Sequence, residues 1–171
     1  VIEELQRDLA PWPEGQSPRV SAYRPGSDIE ARLNRLGAGK QIEILSSSRV
    51  VARANRQVSV QAGGASAKAC GLRIQLAPSM IRRGSLRLRL EPELRSPVAN
   101  GVESRRLETE IDLADRQSCL VSGLLDADSA TALLERLFPG RALSQSNREL
   151  VVLVTPQLAE RVETAGLGPA R

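Results

Sequence analysis

Histidine is absent from this 171-residue chain, and aromatic side chains are nearly absent. Without histidine, the chain lacks the commonest general base, the commonest zinc ligand and every Ser-His or Cys-His nucleophile pair. Its three aromatic residues, Trp12, Tyr23 and Phe138, are too few for a base-stacking platform of the RNA-binding kind. These absences argue against an enzyme and against an RNA-binding protein that works by base stacking.

Lysine is also scarce, since Lys40 and Lys68 are the only two. Arginine therefore supplies nearly all of the basic charge, and 24 basic against 20 acidic residues give a formal charge of +4. The arginines are spread from Arg7 to Arg171 among acidic residues, whereas a nucleic-acid-binding stripe clusters on one element. We therefore expect no nucleic-acid partner.

Only two cysteines occur, Cys70 and Cys119, and they lie in separate β-like runs. They lack CxxC spacing and histidine partners, so no metal site is predicted. They could pair in an oxidising compartment, or they could be two small buried apolar residues.

Long apolar runs are missing, since none reaches the ~18 residues of a membrane-spanning helix. No basic segment followed by an apolar one opens the chain, as an export signal would. We expect either a cytosolic protein or one whose export signal or upstream part precedes Val1.

The first 40 residues form one predicted segment of helix, linker and helix. Apolar residues at helical spacing predict a helix over 1–10. The proline- and glycine-rich residues 11–27 predict a linker. Ser27 or Asp28 is expected to cap a second helix, and Gly37 and Gly39 are expected to end it.

Beyond the second helix, the apolar period changes to that of strands. Short strands are predicted over 42–44, 50–54 and 58–62. The last two are joined by a predicted tight turn at Asn55 and Arg56. The glycines that follow residue 62 lack the Lys-Ser/Thr of a phosphate loop, so they indicate a strand-ending turn.

The clearest pattern is strict alternation on both sides of a turn at Gly84. It predicts an antiparallel hairpin with one apolar and one charged face. The apolar face is predicted to consist of Leu72, Ile74, Leu76, Leu86, Leu88 and Leu90. A loop is predicted over 95–101, then a strand over 105–113, and a turn at Asp115 and Arg116 that leads into a β-like run over 117–123.

Charged residues alternate with the apolar ones on these strands. Arginines of the hairpin are expected to pair with acids of the 105–113 strand at ~0.2–1 kcal/mol each. The basic set is Arg73, Arg87 and Arg89, and the acidic set is Glu108, Glu110 and Asp112. The pairs Glu91/Glu93 and Glu108/Glu110 indicate a solvated sheet face, because no apolar pocket is available to separate their pKa values. No catalytic, cofactor-binding or metal-binding residue and no small-molecule substrate is predicted.

The C-terminal third begins with a predicted helix over 126–138 and continues to a strand over Glu149–Pro156. Because this strand is apolar on both faces, we expect it to be buried or to face lipid on both. The tail over 161–171 is predicted to be flexible.

Three segments, in this order, resemble the secretin family, the outer-membrane channels of type II and type III secretion and of type IV and Flp-type pili. Residues 42–53 (IEILSSSRVVAR) and 57–64 (QVSVQAGG) are similar to the family's run from VLSSPRV to an AGG turn. Residues 71–78 (GLRIQLAP) and 84–93 (GSLRLRLEPE) resemble its G-x-L-x-x-P … G-x-I-x-L-x-V-x-P-E pattern. Residues 109–125 lead to 148–156 (RELVVLVTP), which resembles the sequence that ends the family's conserved domain.

The resemblance covers roughly 41–160, which defines a secretin-like domain between the N-terminal segment 1–40 and the tail. It departs from the family in two places. The segment after the Gly-Gly turn is shortened to residues 65–69, and residues 126–138 replace the family's PGLGDIPVLGxLF stretch. Residues 95–104 are short where family members carry a gate loop, so they are only a candidate lumen-facing loop.

The resemblance implies a mainly β fold. Antiparallel amphipathic hairpins, with two or three short helices, would contribute strands to a multi-subunit secretin-type β-barrel. It implies a homo-oligomeric ring in the outer membrane, facing the periplasm, that works with secretion or pilus machinery proteins. The few aromatics argue against a full membrane-spanning band, since outer-membrane barrels carry aromatic girdles. The alternative is a soluble β-rich periplasmic module that keeps the sheet, forms no pore and binds a partner through an exposed edge strand.

Overall fold

The computed structural model describes residues 5, 8–9, 19–63, 70–98, 100–125 and 149–159. This part of the chain is mainly β, with two antiparallel sheets and one helix. The elements are β1 (Arg19–Ala22), α1 (Ile29–Ala38), β2 (Val58–Ala62), β3 (Gly71–Arg82), β4 (Ser85–Val98), β5 (Gly101–Arg106), β6 (Thr109–Ala114), β7 (Cys119–Ser122) and β8 (Val152–Val154). Both sheets are open, and neither closes into a barrel within the described residues.

Helix α1 confirms the second predicted helix. The Asp28 carboxylate accepts a hydrogen bond from the Ala31 backbone N–H at 2.9 Å, which satisfies one of the free donors of the first turn. At the other end, the Gly39 N–H donates to the Arg35 carbonyl at 3.0 Å. The predicted helix over 126–138 and the tail lie outside the described residues, as does most of the helix over 1–10.

Strands β3 and β4 form the predicted hairpin. Its register runs from Gly71 opposite Arg95 to Met80 opposite Leu86, and Gly84 adopts a positive φ of 80° in the turn. All six predicted apolar residues face the same side, which is buried at Leu72 and along β4 and half-buried at Ile74 and Leu76. The hairpin is longer than the alternation alone predicts.

Strand β4 is the centre of the larger sheet, which runs β2-β3-β4 and then β5 and β6 end to end along the far side of β4. The prediction of a loop over 95–101 is therefore wrong, and so is the candidate lumen-facing loop over 95–104. Residues 95–98 extend β4 and pair with 101–104 of β5, and the chain reverses between Val98 and Gly101. Only two residues, 99 and 100, connect the two strands, and so short a turn does not interrupt the ladder.

The smaller sheet has the order β1-β7-β8. Residues 19–22 were expected to belong to a linker, but they form β1 because the apolar Val20 and Ala22 pair with β7. The neighbouring prolines concealed this short alternation. The predicted turn at Asp115 and Arg116 is confirmed, and it leads into β7 through an Arg116 φ of 61°.

The core forms between three layers. Cys119 and Val121 of β7 pack in the clusters that contain the leucines of the larger sheet. Leu120, between them, packs with Tyr23 and with Ile29 of α1. The smaller sheet is thus the middle layer, with the larger sheet on one face and α1 on the other.

The strands predicted over 42–44 and 50–54 are absent, although the turn at Asn55 is present with a φ of 60°. Residues 41–57 have no ladder partner among the described strands, and Val51 is 88% exposed. An alternating sequence needs a neighbouring strand to satisfy its backbone groups, so this segment stays irregular.

The terminal apolar run forms β8, which is shorter than predicted. Leu150 is buried, but the three residues of β8 are only half-buried because β8 is an edge strand. Its apolar character on both faces has a clear cause. Val152 and Val154 pack toward the larger sheet, whereas Val151 and Leu153 pack toward α1.

Candidate assembly surface

The exposed face of the larger sheet is a lattice of arginine–carboxylate pairs. The Arg87 Nε donates to Oδ1 of Asp112 at 2.7 Å, and its Nη2 donates to Oδ2 at 3.0 Å. The Arg89 Nη2 donates to Oε1 of Glu108, and the Arg89 Nε lies 3.1 Å from Oε1 of Glu91. The predicted pairing of Arg87 and Arg89 with acids of the neighbouring strand is confirmed.

The prediction for Arg73 is wrong, because Arg73 lies on β3 and strand β4 separates it from β6. Across β4, the residue level with Arg73 is Arg106 of β5, so no acid of β6 lies opposite it. Arg73 instead lies opposite Glu93, and its Nε donates to the Ser59 hydroxyl at 3.1 Å. The sequence analysis also missed the pair between Arg106 and Glu91, which are 2.7 Å apart.

Carboxylates of the pairs Glu91/Glu93 and Glu108/Glu110 are bound within this lattice. Glu91 is held by Arg89 and Arg106, while Glu93 accepts a hydrogen bond from the Ser104 hydroxyl at 2.8 Å. A shallow depression of about 180 Å³ on this face is lined by Gln57, Gln75, Ala77, Arg89 and Glu91. These residues form a solvated polar surface, as predicted for this face.

The pair between Arg87 and Asp112 has an electrostatic consequence. The hydrogen bond from Arg87 lowers the pKa of Asp112 below its ordinary value, and the same contact raises the pKa of Arg87. Both side chains are exposed, so the pair fixes register between β4 and β6 more than it contributes stability.

Both edges of the larger sheet are open in the part of the chain that the structure describes. Strand β2 pairs only with β3, and β5 and β6 pair only with β4. Because each neighbouring pair is antiparallel, β2 and β6 run in opposite directions. A second copy in the same orientation could therefore place its β2 beside β6 as another antiparallel pair.

The β2 edge is short for a specific reason. Pro78 has no N–H, and its carbonyl accepts from the Asn55 N–H at 2.7 Å rather than from a strand residue. Pairing with β2 begins only past this proline, at Val58 opposite Leu76. The hairpin beyond Pro78 projects past β2, and its apolar Met80 and Ile81 are 51% and 46% exposed.

The two cysteines are free, so the alternative of a disulfide is not realised. Cys70 is partly exposed next to β3, while Cys119 is completely buried in β7. Burial raises the pKa of the Cys119 thiol to about 12. Cys119 is thus a small apolar core residue, as the second alternative proposed.

A buried polar group lies on the opposite side of the fold. The Tyr23 side chain is 1% exposed, and its hydroxyl has no hydrogen-bond partner among the described residues. Burial raises its pKa, and the nearby Arg32, which pairs with Asp8, opposes that shift. This group lies between α1 and the smaller sheet, away from the charged face.

Comparison with known proteins adds no assignment. No family model matches the chain, and searches of curated proteins and of solved structures found no significant match. Among the described residues, no helix is long and apolar enough to cross a membrane, and no three histidine, cysteine or acidic residues are grouped as a metal site.

Proposed function

We propose that this chain is a subunit of a secretin-like outer-membrane channel for protein secretion or pilus export. The observation that carries the proposal is the larger sheet, which has one apolar face, one charged face and two open edges of opposite direction. The secretin-like segments quoted above supply most of this sheet, including all of β2 and β6 and most of β3 and β4.

The two faces fit a wall between unlike environments. The apolar face packs on the chain's own smaller sheet, and the ion-paired face is hydrated, as a water-filled lumen requires. The larger sheet has four strand positions, with β5 and β6 sharing the last. Because this number is even, the last strand of one copy and the first strand of a copy related by rotation are antiparallel where they meet. A closed ring then leaves no edge unpaired, which lipid would penalise by several kcal/mol for each backbone group.

The test is assembly in a membrane. The chain is incorporated into lipid vesicles, extracted with mild detergent and analysed by unheated SDS electrophoresis and light scattering. We expect particles many times the 18.5 kDa chain mass that resist SDS, and vesicles that release a trapped fluorescent protein. A particle of the chain mass in both lipid and buffer contradicts the proposal.

A second candidate is the soluble β-rich periplasmic module that forms no pore. The observation that favours it is the three-layer core, in which Leu36, Leu90 and Leu124 are completely buried within a single chain. Under this candidate, an open edge binds one partner strand and stops. A stable monomer that captures a β-strand peptide without releasing vesicle contents supports the module.

A further inference from the structure

The hairpin of β3 and β4 ends in an exposed tip, residues 80–84, that is both apolar and basic. Met80 and Ile81 are about half exposed, and Arg82 and Arg83 follow them directly. The ladder register shifts between Met80 and Arg82, so Ile81 is the extra residue of a β-bulge, which ends regular pairing and redirects the side chains next to it. Two large apolar side chains therefore lie in solvent beside two guanidinium groups.

The basic charge of the tip is largely uncompensated. The side chains of Arg82 and Arg83 make no hydrogen bond or ion pair within the described residues. The next turn brings Arg116 to the same place, because the Asp115 N–H donates to the Gly84 carbonyl at 2.9 Å. Arg116 is exposed, and its Nε lies 3.9 Å from Oδ2 of Asp115. Three arginines thus share one nearby aspartate.

The opposite end of the same sheet differs in this respect. There, the Nε of Arg95 lies 3.8 Å from Oε1 of Glu93, and the Nε of Arg105 lies 3.4 Å from Oε1 of Glu103. Every arginine of strands β3 to β6 other than Arg82 has an acceptor in the chain. The hairpin tip is therefore the place on this sheet where guanidinium groups are left for an external acceptor.

The tip also projects beyond the neighbouring strand β2. Strand β2 starts opposite Leu76, and the turn before it reaches Pro78 through the hydrogen bond from the Asn55 N–H. From Pro78 to Arg82 the hairpin continues for about 13 Å, at roughly 3.3 Å per residue. A convex end of this kind encloses no small ligand, but it can present its side chains to a broad surface.

These features fit the surface of an anionic membrane. Arginine binds phosphate oxygens through paired N–H donors, and each basic side chain near an anionic leaflet strengthens binding. Apolar side chains beside the arginines can enter the boundary between headgroups and acyl chains. The sequence of the tip, MIRRG, contains no aromatic ring for stacking on nucleic-acid bases. Basic and apolar side chains together thus favour a lipid surface over other acidic partners.

We propose that the hairpin tip binds the phosphate headgroups of anionic lipids, with Arg82, Arg83 and Arg116 at the phosphates and Met80 and Ile81 at the acyl boundary. The tip lies on the membrane surface rather than crossing it. This binding goes beyond the proposed channel, because it needs neither assembly of copies nor a pore. It specifies which end of the larger sheet faces lipid and which lipid class it recognises.

Flotation with preformed vesicles tests the charge requirement. We expect the folded chain to bind vesicles that contain phosphatidylglycerol, less strongly as salt is raised, and to bind pure phosphatidylcholine vesicles little. Arg82→Gln together with Arg83→Gln should weaken binding to the anionic vesicles about thirtyfold. Arg95→Gln together with Arg105→Gln is the matched control, since it removes the same charge at the other end of the sheet, and it should bind within about twofold of wild type.

A fluorescent label tests the placement of the apolar side chains. In a Cys70→Ser background, either Ile81→Cys or Val102→Cys is labelled with a polarity-sensitive dye, and the buried Cys119 stays unlabelled in the folded chain. Val102 is the control, because it is also an exposed apolar residue but lies at the other end of the sheet. The dye at position 81 should shift to shorter wavelength on anionic vesicles, and the dye at position 102 should not.

The outcomes separate this proposal from the channel. Equal binding to both kinds of vesicle, or unchanged binding by the Arg82→Gln, Arg83→Gln variant, overturns the lipid site even if the chain still forms SDS-resistant particles. Equally tight binding to polyglutamate overturns it too, because that polymer offers no acyl boundary. A wild-type chain that binds anionic vesicles through its tip, yet stays at the mass of one chain, supports the lipid site and contradicts the channel. Circular dichroism checks the fold of each variant, and the dye at position 81 is a separate readout if the arginine variant misfolds.

Discussion

The backbone N–H of Leu107 donates to the carbonyl of Pro92 at 3.0 Å, and Pro92 has no N–H with which to return the bond. Residues opposite each other in such a pair normally exchange two hydrogen bonds. The register on both sides of this point is the same, since Glu93 faces Arg106 and Leu90 faces Thr109. Strands β5 and β6 are therefore one continuous strand with a single bond missing, and the far edge of the sheet is longer than either strand alone.

The leucines of β4 hold the larger sheet on the rest of the fold. Leu90 is completely buried in the cluster with Leu88 and Leu113. We expect Leu90→Ala to lower the free energy of unfolding by about 2–5 kcal/mol, because it removes packed methyl groups and leaves a cavity. Urea denaturation measures the change.

The matched control is Ile81→Ala at the exposed hairpin tip. Because Ile81 is 46% exposed, its truncation should change the free energy of unfolding by no more than about 0.5 kcal/mol. An equal loss in both variants would contradict the assignment of Leu90 to the core.

Gly71 begins β3 where the backbone of the segment after β2 comes close. Its φ is +133°, and a Cβ there would lie 2.9 Å from the Gly63 carbonyl oxygen. We expect Gly71→Ala to cost about 1–3 kcal/mol from backbone strain, with an added steric loss that loosens β2. Hydrogen exchange of the Val60 amide, compared with the amides of β4, detects that loosening.

Gly84→Ala provides the comparison. Gly84 has a φ of +80°, but nothing lies within 4 Å of a Cβ there. Its cost should be about 1–2 kcal/mol, from backbone strain alone. The amides of β2 should exchange faster in Gly71→Ala and at the wild-type rate in Gly84→Ala. The reverse order would contradict the close approach at Gly71.

The hydrogen bond from Arg87 determines the acid behaviour of Asp112. Because the pKa of Asp112 is lowered in the folded chain, the pair stabilises the fold above the ordinary pKa of aspartate, and this contribution is lost as the pH falls through the lowered pKa. Arg87→Gln should return the pKa of Asp112 toward its ordinary value. NMR titration of the Asp112 carboxyl measures the change, and an unchanged midpoint would contradict the pairing.

Burial of Cys119 predicts selective alkylation and a loss of stability at high pH. Its thiol pKa is raised to about 12 in the folded chain, against about 8.5 when exposed. The stability that the buried neutral thiol supplies is fully present below the exposed value and is lost as the pH rises toward the folded value.

In mildly alkaline buffer, iodoacetamide should therefore modify the partly exposed Cys70 in the folded chain and reach Cys119 only in denaturant. Mass spectrometry of the labelled peptides distinguishes the two sites. Equal labelling of both cysteines without denaturant would contradict the burial of Cys119.

Local signals predicted the elements whose partners are close in the sequence. The alternation from Leu72 to Leu90 predicts a hairpin because the turn at Gly84 supplies each strand with its neighbour. The segment with Ile44 and Val51 has the same kind of alternation, yet it forms no strand, since nothing in its own sequence provides a partner. Sequence spacing carries no record of distant pairing, so the match of β1 with β7, a hundred residues away, was equally hidden.

The charged face was predictable to the same extent. Arg87 and Arg89 pair as expected because their strand is adjacent to the acidic one. Arg73 does not, because sheet order is a tertiary property. The choice that Arg89 makes among the surrounding acids could not be predicted, since Arg89 contacts Glu108 and Glu91 rather than Glu110, which lies opposite it in the ladder.

Pro78 limits strand pairing along the β2 side of the larger sheet. An exposed edge strand with all of its backbone N–H groups free is a template on which other chains can add as strands and form fibrils. Pro78 has no N–H and so offers no donor on that edge, and its carbonyl accepts a hydrogen bond from the Asn55 N–H. Strand pairing along this side of β3 is thereby confined to the five residues of β2, which protects the edge against amyloid-like polymerisation.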